Sequence, residues 1–531
     1  MNYLSLKKYT GAASLALMVA LGGSAKGADA HGSADKKLNI VFIELDDLTA
    51  KYVKPFGGDS AKTQTPTIDK LAEQGVVFEN GMAQGTMCAP SRNSMFTGQY
   101  PRNLGFFING SLKELPMGIW TLPKALKRQG YHTSWIGKSH LRVPLGGIPR
   151  NTPYKHNVGH IKNLGLDECT SSAGRVVVTK LVKDMGSKWV KGKDMYADYL
   201  YDKGLLEQFK ADIGKVSTLK VDDYLDGNIA KRAENWIAKY DGKKPFFLWV
   251  NFSGPHGPYD PPGDWVKRYK NSDVPPLISD QKGSVIPPVL RTQLWENGRE
   301  AALRSRAEYM GMIDFVDSQV ARVVKAINDK GIRNDTMIVF FSDQGVMEGD
   351  HGLNHKYTLY KEVLNASLII DLPGAQKGTR VKRPVELLDV VQTALELSGA
   401  SKEERANAHG YSLLPLLKGE GDIPRKAAYS EIFGCVSMVT DDYKYIETPE
   451  GNVLFDLKKD PDETQNVITQ LPEIAQKMAA QMEAWKKNDA GVEKKLTKAD
   501  LKKIDEKVYK KLRKSKARKE RQKNKQRNKN R

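Results

Sequence analysis

The sequence predicts an α/β fold: a large, mixed but mostly parallel sheet flanked by helices, followed by a smaller C-terminal α+β domain. Three observations predict it. Short continuous apolar runs rich in Val, Ile, Phe and Trp recur up to about residue 420, as strands covered on both faces require. Segments with an apolar stripe at helical spacing separate them, and such alternation argues a doubly wound sheet. Beyond about Gly421 the runs shorten and are joined by tight turns.

In chain order, the first predicted strand is Asn39 to Leu45 (NIVFIEL), followed by a helix over Thr67 to Gln74. A helix over Leu122 to Gln129 precedes a strand at Tyr131 to Ile136, and Pro245 to Phe252 (PFFLWVNF) is the third strand. Ala302 to Lys330 carries Met310, Ile313, Phe315, Val316 and Val320 on one stripe, ahead of a fourth strand at Met337 to Phe341. In the smaller domain, Tyr429 to Thr440, Lys444 to Glu447 and Val453 to Asp456 read as short antiparallel strands. Pro449-Glu450-Gly451-Asn452 supplies a hairpin turn, and a helix over Glu473 to Trp485 follows. The resulting organisation is a signal segment (1–30), a catalytic α/β domain (36–420), an antiparallel subdomain (421–490) and a basic tail (491–531).

Composition narrows the function classes. The chain has 531 residues, 40% apolar and 27% charged, which excludes a mostly disordered protein. Its formal charge is +20, yet Lys494 to Arg531 holds 19 Lys and Arg against four acids, a net +15. The body is therefore close to neutral, and basic character belongs to the tail. Within the tail, Leu501, Ile504, Val508 and Leu512 have helical spacing, whereas Lys514 to Arg531 has nothing to bury and is expected to be disordered. Three cysteines, Cys88, Cys169 and Cys435, exclude a disulfide scaffold. Lys7 and Lys8 precede an apolar run from Gly11 to Gly23 and a cleavage site at Ala28-Asp29-Ala30, with Ser24-Ala25 competing, so export to the periplasm or medium is expected. The run is shorter than a membrane span needs, and none is expected after signal removal.

Open parallel sheets bind ligands beyond the carboxyl ends of their strands. Asp46 and Asp47 follow the first predicted strand, Lys138 and His140 the second, His256 the third, and Asp343 with Gln344 the fourth. Asp46, Asp47, Asp343 and the Gln344 amide are hard oxygen donors that favour Ca²⁺ or Mg²⁺ over zinc. With Lys138, His140, His256 and Lys356 they would form a cationic pocket for a tetrahedral oxyanion such as sulfate or phosphate. In the segment 88–98, Cys-Ala-Pro-Ser-Arg-Asn-Ser-Met-Phe-Thr-Gly, Pro90 fits a first helical turn. Cys88 is thereby expected at a helix N-terminus, where an anion is stabilised.

This segment resembles the signature of the type I, formylglycine-dependent sulfatases of the alkaline-phosphatase-like superfamily, departing from it only at Phe96. The second signature of that family is matched by Gly130, Tyr131, Thr133, Gly137, Lys138 and His140. The leading Asp-Asp, Pro-His-x-Pro, Ser-Asp-x-Gly, Lys356 and the ending Leu454-Phe455-Asp456-Leu457 keep the family order, over about residues 38 to 485. The resemblance implies that a formylglycine-generating or sulfatase-maturating enzyme oxidises Cys88 to 3-oxoalanine (formylglycine). The hydrated aldehyde would attack sulfur, and the resulting hemisulfate would lose sulfate by elimination.

By the same resemblance, Ca²⁺ rather than Mg²⁺ is held by Asp46, Asp47, Asp343, Gln344 and modified Cys88. Arg92 and Lys138 orient the diol and the anion, and His140 is the base for elimination. His256 and Lys356 contact the sulfate, and either protonates the leaving oxygen. Ser91 belongs to the modification motif. The implied activity is a sulfuric ester hydrolase, with a sulfated carbohydrate as substrate. An N-sulfamidase or a phosphonate or phosphodiester hydrolase on the same fold is the alternative, and an inactive polyanion-binding protein a distant one. Loops around Tyr154 to Asp167, Tyr259 to Asp273 and Leu277 to Glu296 carry cations and aromatics suited to sugars, and the tail has a polyanion-binding charge.

Overall fold

A computed structural model describes residues 37–488 apart from 110–114, 116–117, 142–162, 186–190, 193, 280–285, 292–294, 296 and 433. The expected signal segment and basic tail, with its amphipathic stretch, lie outside the described residues, as do parts of two of the expected specificity loops. The main sheet is built from β1 (Asn39–Asp46), β2 (Val76–Met82), β3 (His132–Lys138), β4 (Glu168–Ser172), β5 (Phe246–Pro255), β6 (Thr336–Ser342), β7 (Asn365–Asp371), β8 (Thr379–Val381) and β9 (Val385–Glu386). Its order is β4-β3-β5-β1-β6-β7-β2-β8, with β9 on β2. Only the β6–β7 and β2–β7 pairings are antiparallel, so the sheet is mixed and mostly parallel as the alternation predicts.

The four predicted strands form the centre of this sheet, each within a few residues of its expected bounds. Strands β2, β4, β7, β8 and β9 escaped the sequence reading. Their composition explains this: β4 reads ECTSS and β2 VVFENGM, without the apolar continuity of a central strand.

The seven helices that matter here are α1 (Pro66–Gln74), α2 (Cys88–Thr97), α3 (Leu122–Arg128), α4 (Leu225–Lys239), α5 (Gly298–Asp329), α6 (Leu387–Leu397) and α7 (Pro472–Asn488). Successive β1 residues point to opposite faces, so Val41, Ile43 and Leu45 join one core and Ile40 and Phe42 the other. The first core takes in α4 and α5, including Ile229, Ile313, Phe315 and Val320. The second takes in α2, α3 and α6 through Phe96, Leu126 and Val390. Phe42, Trp249 and Phe341 meet edge-on across adjacent strands there, with Phe42 5.2 Å from Trp249 and 5.7 Å from Phe341.

The antiparallel sheet is β10 (Ala428–Ile432), β11 (Cys435–Val439), β12 (Tyr443–Glu447) and β13 (Val453–Asp456), in that order. The single run read from Tyr429 to Thr440 is in fact a hairpin of two strands, because Gly434 at φ 77° turns the chain. Glu431 ties this sheet to the body. Its amide donates to the Gln84 carbonyl at 2.9 Å, and its carboxylate accepts from Arg102 Nε at 2.5 Å. Trp485 of α7 stacks on Tyr429 at 4.1 Å and carries the Arg102 guanidinium 4.0 Å over its ring. None of the three cysteines is in a disulfide.

Candidate active site

β1, β3, β5 and β6 run parallel side by side, so their carboxyl ends meet on one edge of the sheet. Asp46 closes β1 and Asp47 follows with φ 66°, a left-handed conformation that a side chain adopts at a cost and that gathers at functional turns. Lys138 closes β3. Gly137 before it has φ 108° and lies so close to β5 that a Cβ would fall 2.0 Å from the Asn251 carbonyl oxygen, so only glycine fits. His256 follows β5, and Asp343 and Gln344 follow β6. Cys88 is the first residue of α2, as expected, and Gly98 at φ 65° ends that helix in the left-handed cap.

The structure brings these residues together in a buried cluster. Cys88 Sγ lies 2.9 Å from Lys356 Nζ, 3.6 Å from Gln344 Nε2, 3.9 Å from Lys138 Nζ and 3.9 Å from Asp47 Oδ1. Lys356 and Gln344 both donate to the Asp47 carboxylate, and Lys138 donates to Asp46. The Asp47 and Gln344 amides donate to Asp343 Oδ1 at 3.1 and 2.9 Å. His256 Nε2 is 3.6 Å from Asp47 Oδ2, while its Nδ1 is 2.7 Å from the Gly257 carbonyl, which fixes the proton on Nδ1 in the neutral ring. His140, at φ 49°, is joined to the site through its main chain, where its carbonyl accepts from Asn93 at 3.4 Å. Ser91 Oγ donates to the Asp343 carbonyl at 2.6 Å, a local structural bond.

Arg92 stands behind the cluster, fully buried. Its Nε donates to Asp343 Oδ2 at 2.8 Å and its Nη1 to Asn251 Oδ1 at 3.1 Å, with Glu44 Oε1 at 3.3 Å. Glu44 also accepts from Trp249 Nε1 at 2.7 Å. Glu44 and Asn251 did not enter the sequence reading. The signal was there, since a carboxylate in NIVFIELD and an amide in FFLWVNF sit inside buried strands and must find partners. Tyr309 of α5 was missed too: its hydroxyl donates to the Asp47 carbonyl at 2.6 Å and accepts from the Thr49 amide at 2.9 Å, pinning the strained turn.

Burial and charge make the ionisable groups unequal. Burial drives the Cys88 thiol up to about 12, and Asp47 and Asp343 add to this against Lys356 and Arg92, so the unmodified side chain is a protonated, weak nucleophile. Burial, joined by the second ammonium of Lys356, draws Lys138 down to about 7. For Lys356 burial pulls the same way, but Asp47, Cys88 and Asp343 outweigh it and raise the group above its ordinary value. Burial, then Lys138 and Lys356, hold His256 well below the usual imidazole range. Asp343 resists burial through Arg92, Lys356 and Lys138 and stays below the ordinary carboxylate value, whereas burial leaves Asp47 raised.

The donor set fits a hard divalent cation. Asp46, Asp47 and Asp343 each offer a carboxylate oxygen within 4.8 Å of the others. Asp46 Oδ1 and Gln344 Oε1 are buried without a hydrogen-bond partner among the described residues, a costly state that a cation would relieve. A half-turn of the Gln344 amide presents Oε1 where Nε2 now faces Asp47.

A family model described as Sulfatase matches residues 38–400, and one described as N-sulphoglucosamine sulphohydrolase, C-terminal, matches residues 349–488. The chain is 28% identical over 451 residues to a protein named Sulfatase from Formosa agariphila, covering 80% of this chain and 82% of the relative. It is 27% identical over 459 residues to an arylsulfatase of Clostridium perfringens (81% and 90% covered). It is 24% identical over 516 residues to an N-acetylglucosamine-6-O-sulfatase of Bacteroides thetaiotaomicron (82% and 83%). Among solved structures, the fold is shared with a phosphonate monoester hydrolase of Agrobacterium radiobacter at TM-score 0.69 and 22% identity (85% and 96%). It is also shared, at TM-score 0.65 and 21% identity (85% and 97%), with a protein solved in complex with its substrate D-glucosamine-2-N,6-O-disulfate.

Proposed function

This chain belongs to the sulfatase family and is a sulfuric ester hydrolase, and from that premise we propose that it is an exported enzyme that removes sulfate from a sulfated carbohydrate through a formylglycine made from Cys88. The observation that carries this reading is the place of Cys88, at the head of α2 and within 4 Å of Asp47, Lys138, Gln344 and Lys356. The hydrated formylglycine supplies an oxygen nucleophile for sulfur and a second hydroxyl whose deprotonation expels sulfate and restores the aldehyde. Asp46, Asp47, Asp343 and Gln344 would hold Ca²⁺, which supplies charge to the attacking oxygen and the sulfate.

The chain's own side chains divide the remaining work. Lys356 keeps its proton beside the sulfur of Cys88, so it is the acid for the leaving oxygen, and its charge also binds the sulfate. His256, neutral and with Nδ1–H committed to Gly257, contacts the anion region without that proton to give. Lys138, poised near neutrality and 3.9 Å from Cys88 Sγ, orients the nucleophile, and His140 is assigned the elimination base. Arg92 fixes Asp343 and, through Asn251 and Glu44, the floor of the site.

The carbohydrate assignment draws on the N-acetylglucosamine-6-O-sulfatase relative and on the glucosamine disulfate complex of a structural neighbour. The match of residues 349–488 to the N-sulphoglucosamine sulphohydrolase model favours a second reading, cleavage of an N-sulfate. The +15 tail is proposed to hold the enzyme on a sulfated polymer. The test is a panel of O- and N-sulfated saccharides run beside nitrophenyl sulfate and a nitrophenyl phosphodiester, with mass analysis of the peptide spanning Cys88. Sulfate release from saccharides by protein carrying the aldehyde is expected. Full activity with an unmodified thiol would overturn the formylglycine reading, and faster turnover of the phosphodiester would overturn the ester class.

A further inference from the structure

The far end of the sheet carries a second candidate site. His132 opens β3 and Phe246 opens β5, whereas Lys138 and Pro255 close those strands at the catalytic edge. Six residue steps along β3 separate His132 from Lys138, about 20 Å. A cleft of about 690 Å³ opens beside His132, between the start of β3, β4 and the last turn of α4. One wall is aromatic. Trp236 lies nearly parallel to Tyr240 at 4.9 Å and to His132 at 6.1 Å, and both Trp236 and Tyr240 are braced edge-on by Phe246.

The charges around this wall do not balance. Glu168 is occupied by His132 Nε2 at 2.8 Å and Trp236 Nε1 at 2.9 Å, and Asp241 pairs with Lys243 at 3.1 Å. Arg232, Lys239 and Lys244 also line the cleft, and among the described residues none of the three has a carboxylate partner. Lys239 and Lys244 are exposed, while Arg232 is half-buried and donates through Nε to Asn228 Oδ1 at 2.7 Å. Cations left without carboxylates around rigid rings suit a ligand with apolar faces and several anionic groups. A sulfated sugar has that chemistry, because its C–H faces pack on aromatic rings while its sulfates meet lysine and arginine.

We propose that the cleft lined by His132, Trp236, Tyr240, Arg232, Lys239 and Lys244 is a non-catalytic binding site for a sulfated polysaccharide chain, which holds a polymeric substrate on the enzyme while the opposite edge works on it. The inference rests on the proposed substrate class, but its test reads binding alone, so failure of the turnover assays and failure of this site are separable.

The test is lysine footprinting on the full-length protein. Lysines are acylated with and without a heparin-derived hexasaccharide, and labelling is read peptide by peptide, which keeps the signal of the cleft apart from that of the tail. Lys239 and Lys244 should be protected several-fold, while the exposed Lys426 and Lys459, distant in sequence and outside the cleft, label unchanged. Trp236→Leu should abolish that protection while turnover of nitrophenyl sulfate stays at the wild-type rate. Should that variant fail to fold, Arg232→Gln should weaken the protection about tenfold in hexasaccharide concentration. Unprotected Lys239 and Lys244 in the wild-type protein would overturn the site. So would equal protection by a single-stranded oligonucleotide of matched charge, because that would make the cleft a general polyanion surface, and so would full protection in the folded variants.

Discussion

Lys356 and Glu44 show how single buried charges are put to different uses in one site. Lys356 has its ammonium on Asp47 and beside Cys88 Sγ, with its proton affinity raised against burial by Asp47 and Asp343. Lys356→Ala should therefore slow sulfate esters with poor leaving groups, such as alkyl or sugar sulfates, by about 10²–10⁴. Nitrophenyl sulfate, whose phenolate departs without help, should suffer much less, and equal losses on both substrates would show that Lys356 only binds the anion. Glu44 never touches the reacting atoms. It sits under Arg92 and Trp249, with burial pushing it up to about 7 against the pull of Arg92. Removing a partner from a buried ion pair typically costs about 3–5 kcal/mol, so Glu44→Ala should lower the melting temperature markedly. Glu44→Gln keeps the acceptor for Trp249 and should cost less, a ranking that thermal denaturation of the two variants checks.

At the scale of elements, the site depends on loops pinned by neighbours that are far away in sequence. The strained turn at Asp47 is held by Tyr309 of α5, and α1 receives its N-terminal partner from the same helix, where Asp317 accepts from the Thr67 and Ile68 amides at 3.1 and 2.9 Å. The segment after α2 is held in a similar way. His409 Nε2 is 3.0 Å from Asn103 Nδ2, and its ring lies 4.9 Å from that of Tyr100. Burial, with a smaller contribution from Arg102, draws His409 from 6.5 down to about 4. The unfolded chain thus binds the proton first. Stability from this residue is complete above about pH 6.5 and is lost as pH falls towards 4, on the order of 2–3 kcal/mol. Denaturant melts of the wild type at pH 7 and pH 4.5 should differ by more than those of His409→Gln, which has no proton to gain.

For the whole molecule, the three carboxylates gathered by the ends of β1 and β6 are a stability problem that a cation would resolve. Asp46, Asp47 and Asp343 crowd within 4.8 Å, opposed among the described residues by Arg92, Lys138 and Lys356. Exhaustive chelation should lower both activity and melting temperature, and Ca²⁺ should restore both; at a free concentration of about 100 times Kd the binding contributes about 2.7 kcal/mol. Calorimetry with and without chelator checks this, and an unchanged melting temperature after metal analysis confirms removal would count against the site. No helix among the described residues is long and apolar enough to cross a membrane.

The sequence by itself determined the α/β class, the four central strands, the helix headed by Cys88 and the acids and cations at the strand ends. It could do so because buried parallel strands advertise themselves as apolar runs, and because polar residues just beyond them have few structural reasons to be there. Only the tertiary structure decided which groups share a proton, a charge or a face. The partners of Glu44 and Asn251 lie 48 and 159 residues from them along the chain, in Arg92, and Lys138 and Lys356 titrate unlike because burial lowers both while the Asp47 carboxylate raises Lys356. The peripheral strands β2, β4 and β7 were equally beyond local reading, since their place comes from pairing with strands far away in sequence. Covalent neighbours set periodicity, but electrostatics and register depend on distances through space, which exist only once the chain has folded.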